Sequence, residues 1–328
     1  MRNLGFCRFA LGSFAAAAML AGCGGSHPPI GAPGAMSQSH AVATHAQRGG
    51  SWMLPETQSQ NLLYVSNDVA NEVDVFSYPG GSKVGVLTGF DSPKGECVDG
   101  AGYIWIVNQI PPEVIEYVHG GSSPIATLSV PGSSPAGCAV DPITGNLAVT
   151  SQGDQVSVYI NASGAPTTYA DSHMNGFGFC AYDSSGNLFV GAGSTRDGVL
   201  VELPNGSSSF VTLTVKPQPK HLHISGVQWD GEYIAAGGVA ENTNSPSILY
   251  RLQVVGSVAT IEGVTKLGSP KLAPVTAQFW IQGKTVVQST NHGAQIGVWP
   301  YPAGGGPHHL IRTDGRRTVW GTAVSLAQ

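Results

Sequence analysis

Residues 136–152 read AGCAVDPITGNLAVTSQ. A small-apolar run closes on Asp141, a turn carries Gly145-Asn146, and a second apolar run begins at Leu147. This predicts a tight hairpin. The Asp side chain accepts from loop N–H groups two residues on, and the glycine supplies the left-handed residue that closes the turn. The pattern returns along the chain. The second strand of each hairpin begins NLLYVSN at Asn61, YIWIVNQ at Tyr103, NLAVTSQ at Asn146, NLFVGAG at Asn187, EYIAAGG at Glu232 and TVVQSTN at Thr285, with spacings of 42, 43, 41, 45 and 53 residues. The strand before it ends at Asp99, Asp141, Asp183, Asp230 or Trp280. Each turn Asp therefore has a local structural role, and these residues are not read as metal ligands.

A third strand follows in every unit: VDVFSY, EVIEYV, QVSVYI, GVLVEL, SILYRL and QIGVWPY. After a Gly/Ser/Pro turn comes a fourth: VGVLTGF, IATLSV, TTYAD, FVTLTV, VATIEGV and HHLIRT. Four antiparallel strands in about 43 residues cannot bury both faces alone, but radial stacking of such sheets can. The chain ends sharpen the prediction. The unit at Asn61 lacks an innermost strand, and the tail TVWGTAVSLAQ from Thr318 supplies one, with residues 321–325 matching the register of GCAVD. The expected fold is all-β: a six-bladed β-propeller of four-stranded antiparallel blades over 61–328, closed by the C-terminal strand completing the first blade.

With 45 Gly, 22 Pro and 11 % charged residues, the composition suits short strands and tight turns and leaves almost no room for helix. Residues 1–22 read as a lipoprotein signal peptide. Arg2 and Arg8 precede the apolar FALGSFAAAAML, which is too short to span a bilayer, and Leu20-Ala21-Gly22-Cys23 resembles the bacterial lipobox. Cys23 is thus the expected lipidation site and the membrane partner's point of attachment. Gly24 in place of Asp resembles an outer-membrane sorting signal. Residues 23–60, rich in Gly, Pro, Ser and Gln, read as the lipidated Cys and a flexible tether. The mature chain carries 13 basic and 20 acidic residues. That balance argues against nucleic acid as a partner, and a monomer is expected.

The units resemble NHL-type six-bladed propellers, whose consensus runs small-Gly-apolar-Ala-apolar-Asp-x-x-Gly-Asn-apolar-Tyr/Phe-Val-x-Asn. Residues 136–152 and 176–193 match it best. The senescence-marker/gluconolactonase-like and virginiamycin-lyase-like propellers share much of this pattern. WD repeats fit poorly, since the one Trp-Asp pair, Trp229-Asp230, ends an innermost strand. Propellers host many functions, so the fold resemblance carries none by itself. The lactonase-like relatives hold a cation through Glu, Asn and Asp, a set that has no match here residue by residue.

The expected function is an envelope propeller binding a partner protein or small polar ligand at the central funnel, without catalysis. The alternative is a metal-dependent lactonase-like or lyase-like enzyme. Candidate ligand-binding residues are Asn67, Asn108, Gln152, His173, His223, Asn291 and His292, in loops on the face where the innermost strands begin. No catalytic residue, metal site or cofactor is assigned; a divalent cation has no motif to support it. Among Cys97, Cys138 and Cys180 at most one disulfide fits. A Cys138–Cys180 pair is open, but buried thiols are expected, because inner strands of separate blades usually stand beyond the Cα limit for a bridge.

Overall fold

Strand-turn repeats of this kind bury apolar faces only against copies of themselves, and the computed structural model shows how they do so. It describes residues 50–174, 176, 178–193, 198–219, 224–238, 246–268, 274–290, 295–313 and 319–328. The sheets form six blades in a ring, each running from an innermost strand outward. The second blade is the plainest, with Pro93–Val98 innermost, then Ile104–Asn108, Glu113–Tyr117 and Pro124–Ser129. The third runs Pro135–Val140, Leu147–Ser151, Gln155–Tyr159 and Thr167–Ala170, which places the AGCAVDPITGNLAVTSQ hairpin at its core. The innermost strands of the fourth, fifth and sixth are Phe179–Tyr182, Ile224–Trp229 and Pro274–Gln282.

The tail closes the ring as expected. Val319–Ser325 pairs antiparallel with Leu62–Asn67, setting Val324 opposite Leu63 and Thr322 opposite Val65. The closing strand is buried along most of its length, with Val319, Thr322, Ala323, Val324 and Ser325 all at 5 % exposure or less. Apolar clusters fill the interfaces between blades; one joins Leu63, Val65 and Phe76 of the first blade to Val287, Ile296 and Val298 of the sixth and to Val324 of the tail. Side chains tie blades together as well. Tyr301 of the sixth donates its hydroxyl to Asp230 of the fifth at 2.5 Å. His119 of the second blade lies 2.6 Å from Ser325 Oγ and 2.9 Å from the Gln60 carbonyl.

The turn aspartates act as the sequence predicts. Asp99 Oδ1 accepts from the Ala101 and Tyr103 amides, Asp183 Oδ1 from Ser185 and Asn187, and Asp230 Oδ1 from Glu232 and Tyr233.

Three expectations need correction. The tether does not extend to residue 60: Trp52–Met53 adds an outer strand to the first blade, with Trp52 opposite Val86, and Pro55–Ser59 forms a 3-10 turn that buries Thr57. Two apolar residues here find an unpaired sheet edge, which composition alone does not show. The stretch FVTLTV does not form one strand. Val211–Thr212 ends the fourth blade, and Thr214–Lys216 crosses to run parallel beside Val258–Leu267 of the fifth. Finally, Cys97 and Cys138 form a disulfide with Cα atoms 5.6 Å apart, and Cys180 is a buried free thiol. Cys97 lies two residues before its turn Asp and Cys138 three. In alternating strands this offset points the two side chains from adjacent blades at each other, into the same interface cluster as Trp105 and Val149. Cys180 faces the next interface, with Ala139. The disulfide fits an extracytoplasmic compartment. Among the described residues no helix is long and apolar enough to cross a membrane.

Candidate functional site: an aromatic cup at the trailing rim

Six inner strands converge on one axis, so their residues decide what the central channel holds. Midway along several of them, only glycine fits. A Cβ on Gly321 would lie 2.2 Å from the Lys94 carbonyl, and one on Gly95 would lie 2.7 Å from the Ala136 carbonyl. Gln278 of the sixth blade reaches past Gly321 to the second blade. Its Oε1 accepts from the Glu96 amide at 2.9 Å and its Nε2 donates to the Glu96 carbonyl at 2.5 Å. Thr322 Oγ1 donates to the Gln278 carbonyl at 3.2 Å. This bond spans the closing strand from the sixth blade to the second, and with the Phe179 ring against Gly137 and the Phe279 ring against Gly226 it narrows the space between the inner strands.

The Glu96 side chain turns away from the axis, between the first and second blades. It is fully buried and accepts from Ser66 Oγ at 2.6 Å. Burial pushes its carboxyl up to about 8, helped by the nearby Asp74 and opposed by the hydrogen bonds from Ser66 and the Ala323 amide. Near neutral pH it is mainly a protonated acid inside the wall.

Between the constriction and the rim where the inner strands end lies a cavity of about 200 Å³. Gln278 and Phe279 form its inner end; Tyr182, Trp229 and Trp280 bring aromatic surface to it, and Val98 and Val140 complete the ring toward solvent. The Cys97–Cys138 bridge and Cys180 form part of its wall. Its amides are already engaged. Gln228 bonds both the amide and the carbonyl of Ile281, and Gln278 bonds the Glu96 backbone. Trp280 Nε1 donates to Gln282 Oε1 at 3.4 Å. The cup therefore offers apolar and π surface rather than a charge or a free amide. Pockets of this type recognise a flat or apolar group.

The expected polar residues that the structure describes, Asn67, Asn108, Gln152 and His173, lie at the opposite, leading rim. Asn67 is 2 % exposed, and its Oδ1 accepts from the Ala70 amide. Asn108 is 1 % exposed; its Oδ1 accepts from the Asp91 amide and its Nδ2 donates to the Ile110 carbonyl and to Glu113. Both close their own turns. Gln152 is exposed. His173 is exposed too, with Nδ1 2.6 Å from Asp171 Oδ1. His223, Asn291 and His292, like Cys23, lie outside the described residues. Among the described residues no three His, Cys, Asp or Glu side chains are grouped to hold a metal. The cup residues do carry a sequence signal: aromatics at or just before the hairpin turn, in AYD, QWD and QFW.

No family model matches the chain, and no curated protein matches it. Solved structures do, at the level of fold. A chain in the crystal structure of a nidogen/laminin complex superposes with a TM-score of 0.64 at 12 % identity, covering 82 % of this chain and 99 % of that one. A protein of unknown function from Bacteroides caccae gives 0.56 at 13 %, covering 81 % and 99 %. Hydrazine synthase from Kuenenia stuttgartiensis gives 0.50 at 15 %, covering 79 % of each chain.

Proposed function

We propose that this chain is a lipid-anchored binding propeller of the cell envelope, with NHL-like blades. Its ligand is a small molecule or a partner protein's side chain, seated in the cup at the trailing rim without bond-making chemistry. The observation that carries this reading is the cup itself: aromatic rings around a cavity of about 200 Å³ whose amides are already bonded within the protein. A nidogen/laminin complex contains a chain of this shape, which supports a protein as one class of occupant. The Cys97–Cys138 bridge supports an oxidising compartment, and Leu20-Ala21-Gly22-Cys23 supports the anchor.

Indole and p-cresol serve as probes for an inserted aromatic side chain. Titrated into residues 50–328 and followed by isothermal titration calorimetry, they are expected to bind with a Kd of about 1 mM or below. Trp229→Ala and Trp280→Ala are each expected to weaken binding about tenfold. Probes that give no binding heat, or bind both variants as well as the parent, would remove the cup from the account. The anchor is tested separately: Cys23→Ala is expected to move the protein from the membrane fraction to the soluble one, and continued membrane retention would overturn it.

A further inference from the structure

We infer that the groove between the third and fourth blades, on the same trailing face, is a second site, built for a neutral saccharide. It has a volume of about 300 Å³, room for about ten waters at roughly 30 Å³ each. That is enough for one or two sugar rings. It meets the cup only at Tyr182, which lines both cavities.

A pyranose presents an apolar C–H face and a rim of hydroxyls that both donate and accept. The groove matches both parts. Tyr169, on the outer strand of the third blade, and Tyr182, at the end of the fourth blade's inner strand, supply rings. Among the described residues neither hydroxyl has a hydrogen-bond partner in the protein. Asn146 spends its Oδ1 on the Asn161 amide at 2.9 Å, which leaves its Nδ2 as a donor. Asn205 spends its Nδ2 on the Ser185 carbonyl at 2.9 Å, which leaves its Oδ1 as an acceptor. The two amides are thus fixed in complementary senses by bonds outside the groove.

The lining also argues for a neutral ligand. Among the described residues Asp141 is its one carboxylate, and both oxygens are held within their own turn, by the Ile143 amide and the Thr144 hydroxyl. No lysine or arginine among the described residues lines it. At the lip, Ile160 is 70 % exposed and offers apolar surface beside the groove. The chain beyond it passes through Asn161 and Ala162 at φ 49° and 46°, a conformation that costs a non-glycine residue energy. The bond from Asn146 holds this turn, so one residue both orders the lip and faces the ligand.

The test uses saturation-transfer NMR on residues 50–328 with maltose, cellobiose, lactose and N,N′-diacetylchitobiose, and a digalacturonate as the acidic control. At least one neutral disaccharide is expected to bind at about millimolar Kd or tighter. Tyr169→Ala and Asn205→Ala are each expected to weaken it about tenfold. Asn205 is on an exposed turn, so that variant keeps the test decisive if Tyr169→Ala perturbs the blade. Trp280→Ala is expected to leave saccharide binding intact. The inference is overturned if no neutral disaccharide binds, if the acidic one alone binds, or if both groove variants bind like the parent. Loss in Trp280→Ala alone would place the sugar in the cup, sinking this inference while the cup reading stands.

Discussion

At the residue scale, a polar side chain's identity says little about function until its hydrogen bonds are traced. Asn67 and Asn108 looked free in a string of letters. In the fold their amides close the turns beside them. Conversely, Glu96 reads as one acid in an inner strand, yet it is fully buried beside Ser66 and Asp74. Its carboxyl goes from the ordinary 4.5 to about 8 on folding. The folded state therefore holds a proton that the unfolded chain releases above pH 4.5. The stabilisation is complete below pH 4.5 and falls by about 1.4 kcal/mol per pH unit until the folded state ionises near pH 8. Thermal melts are expected to weaken steadily from pH 5 to 8.5, and Glu96→Gln is expected to flatten that slope and raise the Tm at pH 8.5. Equal slopes in parent and variant would show that Glu96 does not titrate in this window.

At the element scale, the hairpin grammar was the most legible part of the chain. Asp at the end of an inner strand and Gly-Asn or a similar pair in the turn encode their own hydrogen bonds, so they can be read without tertiary context. Strand edges cannot be read this way. Trp52–Met53 joins the first blade, and Thr214–Lys216 joins the fifth rather than the fourth, because an unpaired edge accepts any extended neighbour of suitable reach. The disulfide was hidden for a related reason. Its formation depends on which face of each inner strand a cysteine occupies, and a one-residue offset from the turn Asp decides that. The aromatic cup lay in plain sight in AYD, QWD and QFW, but rings beside a turn read as ordinary core until five strand ends are brought together.

At the scale of the whole molecule, the cup, the groove and the constriction all depend on one event. The tail must pair with Leu62–Asn67 and so hold the sixth blade against the first. Val319 and Val324 alone contribute about 1.5–3 kcal/mol each by burial, against a typical net stability of about 5–15 kcal/mol. Because Ser325 sits opposite Leu62, the closing strand is in position to be the first strand of its blade as well as the last of the chain. The most direct measurement compares two chains by thermal unfolding: one ending at residue 318, and a circular permutant that begins at 319, runs through 328, continues by a flexible linker into residue 50 and ends at 318. The account predicts that the truncated chain loses cooperative unfolding and that the permutant regains it near the parent's Tm. A truncated chain that melts like the parent, or a permutant as unfolded as the truncation, would contradict it.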